Sequence, residues 1–166
     1  MRSKVLSVFA AVLLLAACET ASDQSAGTAG QGGATGAGTA TTARPGPRPG
    51  SQEDLVANVG DRVFYDFDKS DLKPEARRTI ERWAAWLRQY PNVTVTVEGH
   101  ADERGTREYN IGHGERRAAS AKNFLVSLGI DARRVATISY GKERPAVVGS
   151  NEAAWSQNRR GVMVVN

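Results

Sequence analysis

The sequence predicts an α/β fold in which helices pack on one mixed sheet. From residue 52 onward, apolar side chains recur at every second position in some segments, as in strands, and at every third or fourth position in others, as in helices. These segments follow one another in the order β-α-β-α-β-(α)-β, which is typical of helices packed on a sheet. The chain has 166 residues, 40% of them hydrophobic, so the stretch 52–166 is long enough for one domain with a core.

The first strand and the first helix of this domain follow from side-chain spacing. Val63, Tyr65 and Phe67 recur at every second position, which predicts a strand with these three side chains on one face. Pro74 is compatible with a first helical turn, and apolar residues then recur at helical spacing until Pro91 ends the helix. We interpret the apolar positions of this helix as core rather than as a cofactor site; they are Ala76, Ile80, Trp83, Ala84 and Leu87.

The second strand leads into a charged loop. Val93, Val95 and Val97 alternate with polar residues and predict a strand with one apolar face, and the residues that follow it are rich in charge. In open α/β sheets ligands usually bind at the carboxyl ends of strands, because the loops there vary while the strand holds their base rigid. The sequence therefore predicts a binding site at the end of this strand.

The second long helix contains two glycines near its start. Gly112 and Gly114 would each cost about 1 kcal/mol relative to alanine inside a helix, so we expect a short turn first and the main helix from about Glu115 to Gly129. The buried stripe of that helix is Ala118, Ala121, Leu125 and Leu128. The remaining predicted elements are a strand at 134–140, a short helix at 153–155 and a last strand at 161–165.

The amino-terminal residues have the pattern of an export signal. Arg2 and Lys4 precede an apolar run at 5–15, which is too short for a stable transmembrane helix of about 20 residues. The sequence Leu15-Ala16-Ala17-Cys18 resembles the lipobox of bacterial lipoproteins. We therefore predict that residues 1–17 are removed and that Cys18 is lipidated. The alternative is an unmodified cysteine beside an ordinary secretory cleavage site.

The segment between Cys18 and the domain is predicted to be a disordered linker. Cys18 is the only cysteine, so an intramolecular disulfide is excluded. Glu19 follows it, whereas the inner-membrane retention signal of enteric lipoproteins has Asp at that position, so the resemblance to lipoproteins favours the outer membrane. Residues 21–51 are small, polar, charged, Gly or Pro residues with no large apolar side chain to bury. A flexible coil of this length spans roughly 30 Å. We expect the lipidated amino terminus and linker to occupy residues 18–51.

The charge pattern does not favour a nucleic-acid partner. The formal charge of +4 falls to about +2 once Arg2 and Lys4 leave with the signal. Acidic residues also alternate with basic ones almost throughout, whereas a nucleic-acid face needs clustered Lys and Arg. The remaining alternative of this kind is a general polyanion binder, whose binding would depend strongly on salt.

Several motifs resemble the OmpA-like C-terminal domain family. They are Tyr65-Asp-Phe-Asp68, Glu98-Gly-His-Ala-Asp-Glu-Arg-Gly-Thr106, Tyr109-Asn110, Gly114-Glu-Arg-Arg-Ala118, Ser139-Tyr-Gly-Lys-Glu-Arg-Pro-Ala146 and Asn158-Arg-Arg160. The resemblance covers the whole domain and implies the OmpA-like sandwich fold. With the lipobox, it also implies an outer-membrane lipoprotein of the Tol-Pal system whose domain faces the periplasm. Such proteins need no cofactor.

The resemblance also implies a ligand and partners. Lipoproteins of this family bind peptidoglycan non-covalently through the diaminopimelate of its stem peptide, and so tether the outer membrane to the cell wall. They support envelope integrity and constriction at division, and they bind TolB and other Tol-Pal components. By resemblance, Asp102 contacts the ligand's ammonium and Arg117 its carboxylate. The supporting contacts are Asp68, Arg104 and Asn110.

One argument for this charge pair does not depend on the family. If the main helix begins near Glu115, Arg117 lies in its first turn, where free backbone N–H groups and the helix dipole favour an anion. Asp102 adds the opposite charge, and such a pair suits a zwitterion. The alternative is that Asp102 and Arg117 pair with each other on the surface, which is common and contributes little. Two residues depart from the family pattern: His113 stands where leucine is usual, and Arg107 where proline is frequent.

Catalysis and metal binding receive little support from the sequence. Glu98, Asp102 and Glu103 are carboxylates of a type used in acid–base chemistry, but no Ser or Cys nucleophile lies in a recognisable motif. His100 and His113 lack the spacing of known metal motifs. We therefore predict a binding protein that is not an enzyme and holds no metal.

Overall fold

The structure is a computed structural model that describes residues 46–166. Its elements are α1 (Gln52–Asn58), β1 (Arg62–Phe64), α2 (Pro74–Gln89), β2 (Val95–His100), α3 (Arg107–Ser127), a 3₁₀ turn (Ala132–Arg134), β3 (Val135–Gly141), α4 (Glu152–Asn158) and β4 (Arg160–Val165). The predicted signal, Cys18 and most of the predicted linker lie outside the described residues. Within 46–166, no helix is both long and apolar enough to cross a membrane.

The four strands form one mixed sheet in the order β1-β4-β2-β3. β2 and β3 are parallel, and α3 connects them, whereas β4 is antiparallel to both of its neighbours, β1 and β2. The predicted α/β class, with one mixed sheet and helices packed on it, is confirmed.

The core lies between the sheet and the two long helices. From β2, Val95 and Val97 are fully buried against apolar side chains of α2 and α3 such as Trp83 and Leu125. All five predicted core positions of α2 are buried, which confirms its helical period. This packing fixes α3 across the end of β2, where the predicted binding site lies.

α3 begins eight residues earlier than the sequence predicts. Its first residue is Arg107, and the hydroxyl of Thr106 caps it by accepting a hydrogen bond from the backbone N–H of Tyr109. The prediction of a main helix that starts near Glu115 is therefore wrong.

The reason for this difference is the close approach of α3 to β2. A Cβ atom added to Gly99 would lie 1.8 Å from the carbonyl oxygen of Gly114, and one added to Gly114 would lie 2.4 Å from Oγ of Ser139. Gly114 therefore lets the helix backbone touch the sheet, and this packing offsets the helix-propensity cost of glycine. Propensity alone could not show that, because the contact joins residues distant in sequence.

The first strand is shorter than predicted. β1 ends at Phe64, where the chain leaves the sheet. Val63 and Tyr65 are buried as expected, but Phe67 is 58% exposed. The prediction that Phe67 shares the core face of a strand is wrong. The departing chain places residues 66–69 beside the end of β2 instead.

The domain begins with a helix that the sequence analysis did not predict. Ser51, the last residue of the predicted linker, is buried and caps α1 by accepting from the N–H of Asp54. Asp54 in turn accepts a hydrogen bond from Nε1 of Trp86, at 2.9 Å. α1 thus packs on α2 through this polar contact and through Leu55. The helix has only seven residues and one buried apolar side chain, so its sequence shows no apolar periodicity.

Candidate functional site

A cleft of about 160 Å³ opens where β2 ends and the loop to α3 begins. It brings together all five side chains that the sequence singles out as ligand contacts: Asp68, Asp102, Arg104, Asn110 and Arg117. Phe67, Ala101, Gly105, Tyr109 and His113 complete its lining. The cleft is therefore at the carboxyl end of β2, as predicted. Phe67 and Asp68, from the turn at 66–69 between β1 and α2, also line it.

Asp102 is buried and accepts four hydrogen bonds. Its Oδ1 accepts from Nε and from the backbone N–H of Arg104, both at 3.1 Å, while its Oδ2 accepts from Nη2 of Arg104 at 2.6 Å. Nη1 of Arg159 donates to the same Oδ2 at 3.3 Å. A carboxylate has about four acceptor positions, so these two arginines occupy all of them.

The same contacts keep Asp102 ionised. Burial opposes the charge, but the hydrogen bonds from Arg104, and then the one from Arg159, outweigh it and lower the pKa of this carboxyl below its usual value. Asp102 is therefore an anion at neutral pH.

Arg104 is held over Asp102 by two aromatic rings. Its guanidinium carbon lies 4.1 Å from the ring centre of Phe67 and 4.0 Å from that of Trp155. A cation between two rings gains from both of them. The side chain of Arg104 is still 33% exposed, so it is the more accessible of the two arginines that contact Asp102; the side chain of Arg159 is only 6% exposed.

Arg117 joins two parts of the backbone beside the cleft. Only 1% of it is exposed. Its Nε donates to the carbonyl of Lys69 at 2.9 Å, its Nη2 to Asp66 at 3.0 Å and its Nη1 to His100 at 2.8 Å. These bonds connect the turn at 66–69 to the end of β2. They use three of the five guanidinium N–H groups, which leaves one on each terminal nitrogen.

Burial is the main cause of a lowered pKa for Arg117, which falls to about 10. The cation of Arg159 adds to this effect. A pKa of about 10 leaves Arg117 positively charged at neutral pH. The phenol of Tyr65 donates a hydrogen bond to the backbone carbonyl of Arg117 at 2.8 Å.

Two sequence-based arguments about Arg117 are wrong. Because α3 starts at Arg107, Arg117 lies well inside the helix and not at its amino-terminal turn; the helix dipole therefore does not explain an anion site there. The alternative of a surface pair with Asp102 is also wrong, since both residues are buried and each has other partners. The cation and the anion border the same cleft without neutralising each other directly.

Asn110 and Asp68 both line the cleft. Asn110 is buried, and its Nδ2 donates to the carbonyl of Arg104 at 2.9 Å, which holds the loop after β2 in place. Asp68 is exposed, has a positive φ of 53°, and accepts a hydrogen bond from the hydroxyl of Tyr109. Aspartate is one of the few residue types that adopts this left-handed conformation readily.

Sequence reasoning missed several residues of the site. Arg159 and Trp155 come from the last part of the chain, far from Asp102 in sequence, and Tyr109 was noted only as part of a motif. The one available signal was the Asn158-Arg-Arg160 motif, which carried part of the resemblance. It could not show that Arg159 is buried, where its Nε also donates to the carbonyl of Tyr65 at 3.2 Å.

The histidines do not form a metal site in the part of the chain that is described. Between residues 46 and 166, no group of three or more His, Cys, Asp or Glu side chains is placed to hold an ion. His100 lies against Glu98, with 3.3 Å between Nε2 and Oε2. Burial, and then the cations of Arg160 and Arg144, lower the pKa of His100 to about 4. His100 is thus a neutral, buried residue.

The sequence of this chain is similar to those of known proteins. Residues 64–159 match the OmpA family. The chain is similar to the peptidoglycan-associated lipoprotein of Agrobacterium fabrum, with 48% identity over 164 residues, 99% of this chain and 88% of that protein. It is similar also to the protein of that name from Haemophilus influenzae, with 48% identity over 101 residues, 61% of this chain and 66% of that protein.

Solved structures support the same fold. The crystal structure of the peptidoglycan-associated lipoprotein from Burkholderia pseudomallei has a TM-score of 0.62 and 34% identity, and covers 64% of this chain and 90% of that one. The C-terminal domain of Helicobacter pylori MotB has a TM-score of 0.60 at 18% identity, and covers 64% of this chain and 84% of that one. The second likeness concerns the fold alone.

Proposed function

This chain belongs to the OmpA family, and from that premise we propose that it binds peptidoglycan non-covalently at the cleft beside β2. The relatives that match nearly its whole length are named peptidoglycan-associated lipoproteins. The chain is a binding protein and not an enzyme. The observation that carries the proposal is that one cleft combines the buried cation of Arg117 with the buried anion of Asp102.

We propose that the bound group is the diaminopimelate of the stem peptide. Its free end carries one ammonium and one carboxylate, and a cleft with both charges suits such a zwitterion. The two N–H groups that Arg117 has left can donate to the two oxygens of the carboxylate. Asn110 and Asp68, which also line the cleft, supply supporting contacts.

The ammonium requires a rearrangement, because the acceptor positions of Asp102 are filled. The side chain of Arg104 makes two of the four contacts, and it is the more accessible of the two arginine side chains. We propose that the ligand's ammonium replaces the side chain of Arg104 at Asp102, while the buried Arg159 stays. Phe67 and Trp155, which flank Arg104, can hold its side chain nearby when it moves.

The location follows from the proposed anchor. Lipidation of Cys18 would fix the amino terminus in a membrane, with several acyl chains holding it more firmly than one chain could. We propose the outer membrane, with the domain facing the periplasm, and a linker that lets the domain reach the cell wall. The chain would thus tether the outer membrane to peptidoglycan as part of the Tol-Pal system, contribute to envelope integrity and constriction at division, and contact TolB.

Co-sedimentation with purified cell wall tests the proposed function. The purified chain should sediment with diaminopimelate-containing sacculi and release no soluble fragments from them. Asp102→Asn should reduce the retained fraction, with an affinity at least roughly tenfold lower, because it removes the anion that attracts the ammonium. Circular dichroism must show that this variant is folded.

The alternative hypothesis, that the chain is a general polyanion binder, predicts a different result. Its retention would fall steeply as salt increases and would not depend on the chemistry of the stem peptide. Wild-type protein that failed to sediment with sacculi at physiological salt would rule out the proposed function.

A further inference from the structure

His113 carries a buried nitrogen that makes no hydrogen bond. It lies on α3 and borders the cleft, with 5% of its surface exposed. Its Nδ1 lies 3.2 Å from Nη2 of Arg116. Its Nε2 is buried and has no partner among residues 46–166. In folded proteins nearly all buried polar atoms are hydrogen-bonded, so each exception calls for an explanation.

The contact with Arg116 determines which nitrogen carries the hydrogen. A guanidinium group only donates hydrogen bonds, so Nδ1 of His113 must accept and has no hydrogen of its own. Burial lowers the pKa of His113, and the cations of Arg117 and Arg116 lower it further. The imidazole is therefore neutral at neutral pH, and its single hydrogen is on Nε2. The atom without a partner is thus a donor.

The side chains around the cleft do not satisfy this donor. The carboxylates in the lining are those of Asp68 and Asp102, and each has other partners: the phenol of Tyr109 for the first, two arginines for the second. Tyr109 stacks on the imidazole, with 5.8 Å between ring centres, and covers one of its faces. An acceptor for this donor must therefore come from outside residues 46–166.

The charge of the surroundings indicates what kind of acceptor fits. Arg117 is close enough to His113 to influence its protonation, and it has its own two free N–H groups. A neutral donor beside a cation is suited to an anionic acceptor, and a carboxylate can accept from both. An ammonium group would gain nothing there, because Nε2 in this tautomer offers no lone pair.

We propose that Nε2–H of His113 donates to a carboxylate oxygen of the bound ligand, beside Arg117, and that His113 is a specificity-determining residue of this cleft. This inference rests on the proposed function, since it assigns a further contact to the same ligand. His113 is then a binding residue whose unpaired donor in the free protein is satisfied on binding.

Two variants separate binding from packing. His113→Leu removes the donor and puts an apolar side chain of similar size in its place. His113→Gln retains an N–H donor at about the distance of Nε2 along the side chain. Calorimetric titration with a soluble stem tripeptide that contains diaminopimelate measures the affinity of each variant, and thermal unfolding without ligand measures its stability.

We expect His113→Leu to bind about tenfold more weakly than the wild type, as for the loss of one hydrogen bond to a charged group. Its melting temperature should stay the same or rise, because it removes an unpaired buried polar atom. His113→Gln should recover most of the affinity. A residue with a purely packing role would show the opposite pattern, with lower stability in both variants and no recovery in the second.

Equal affinity of the wild type and His113→Leu would overturn the inference and leave the proposed function intact. Failure of the wild type itself to bind the tripeptide would remove the proposed function and this inference with it. The two failures are therefore distinguishable in one titration series.

Discussion

Arg117→Lys keeps the positive charge beside the cleft but removes the planar group that joins two parts of the backbone. In the wild type, three N–H groups of Arg117 donate to the carbonyls of Lys69, Asp66 and His100. A lysine ammonium at the end of one flexible chain can reach at most one of these directions at a time. Two of the three carbonyls therefore lose their partner.

The magnitude follows from the number of bonds lost. A hydrogen bond to a charged group contributes about 1.5–3 kcal/mol, so the loss of two lowers the free energy of unfolding by roughly 3–6 kcal/mol. Proteins of this size are stable by about 5–15 kcal/mol, so the variant should remain folded in most of this range, with a looser turn at 66–69. Its ligand affinity should also fall at least roughly tenfold, because an ammonium cannot donate to both oxygens of a carboxylate.

Urea unfolding followed by tryptophan fluorescence measures the first effect, and the chain has three tryptophans as probes. The matched control is Arg133→Lys, the same substitution at a side chain that is 90% exposed and, within residues 46–166, hydrogen-bonds only to Asp131. It should leave the unfolding midpoint unchanged. If Arg117→Lys had the same midpoint as the wild type, the three carbonyl contacts would not hold the turn and this reasoning would be refuted.

Three other predictions concern packing, anchoring and a partner. Gly114→Ala should lower the free energy of unfolding by about 1–3 kcal/mol in the same urea experiment, despite the better helix propensity of alanine, because the new Cβ would lie 2.4 Å from Oγ of Ser139 and 2.7 Å from the carbonyl of Gly99. Cys18→Ser should abolish lipidation and release the protein from outer membrane after peptidoglycan digestion; a variant that still fractionated with the membrane would contradict the proposed anchor. TolB should compete with soluble wall fragments for the domain, so TolB binding that stayed unchanged at saturating fragment would exclude a shared surface.

Local patterns predicted the architecture well. The apolar spacing of α2 and the alternation in β2 are read within one segment, and the packing of those same faces forms the core. The predicted start of α3 failed because the cost of Gly112 and Gly114 is local, whereas the compensating contact of Gly114 with Gly99 is not. The prediction that Phe67 lies on the core face of a strand was wrong for a related reason. Alternation of apolar residues cannot show where a strand leaves its sheet.

The site was predictable only in part. The charged loop after β2 and the family motifs identified residues that the fold does bring to one cleft. They could not show that Asp102 already has two arginine partners, or that Arg117 supports the backbone as well as facing the cleft. Such facts depend on the burial and orientation of side chains that are distant in sequence, such as Arg159. The unpaired nitrogen of His113 is of the same kind.

The central claim is that the cleft recognises the zwitterionic end of diaminopimelate, with Arg117 contacting its carboxylate. The most direct test changes the ligand and leaves the protein as it is, so that no variant can fail to fold. Wild-type protein is sedimented at one salt concentration with native cell wall, with wall whose diaminopimelate is amidated, and with wall that has lysine in its place. We predict that the native wall binds at least roughly tenfold more tightly than the other two, since both lack the carboxylate. Equal retention of native and amidated walls would contradict the claim that Arg117 reads that carboxylate.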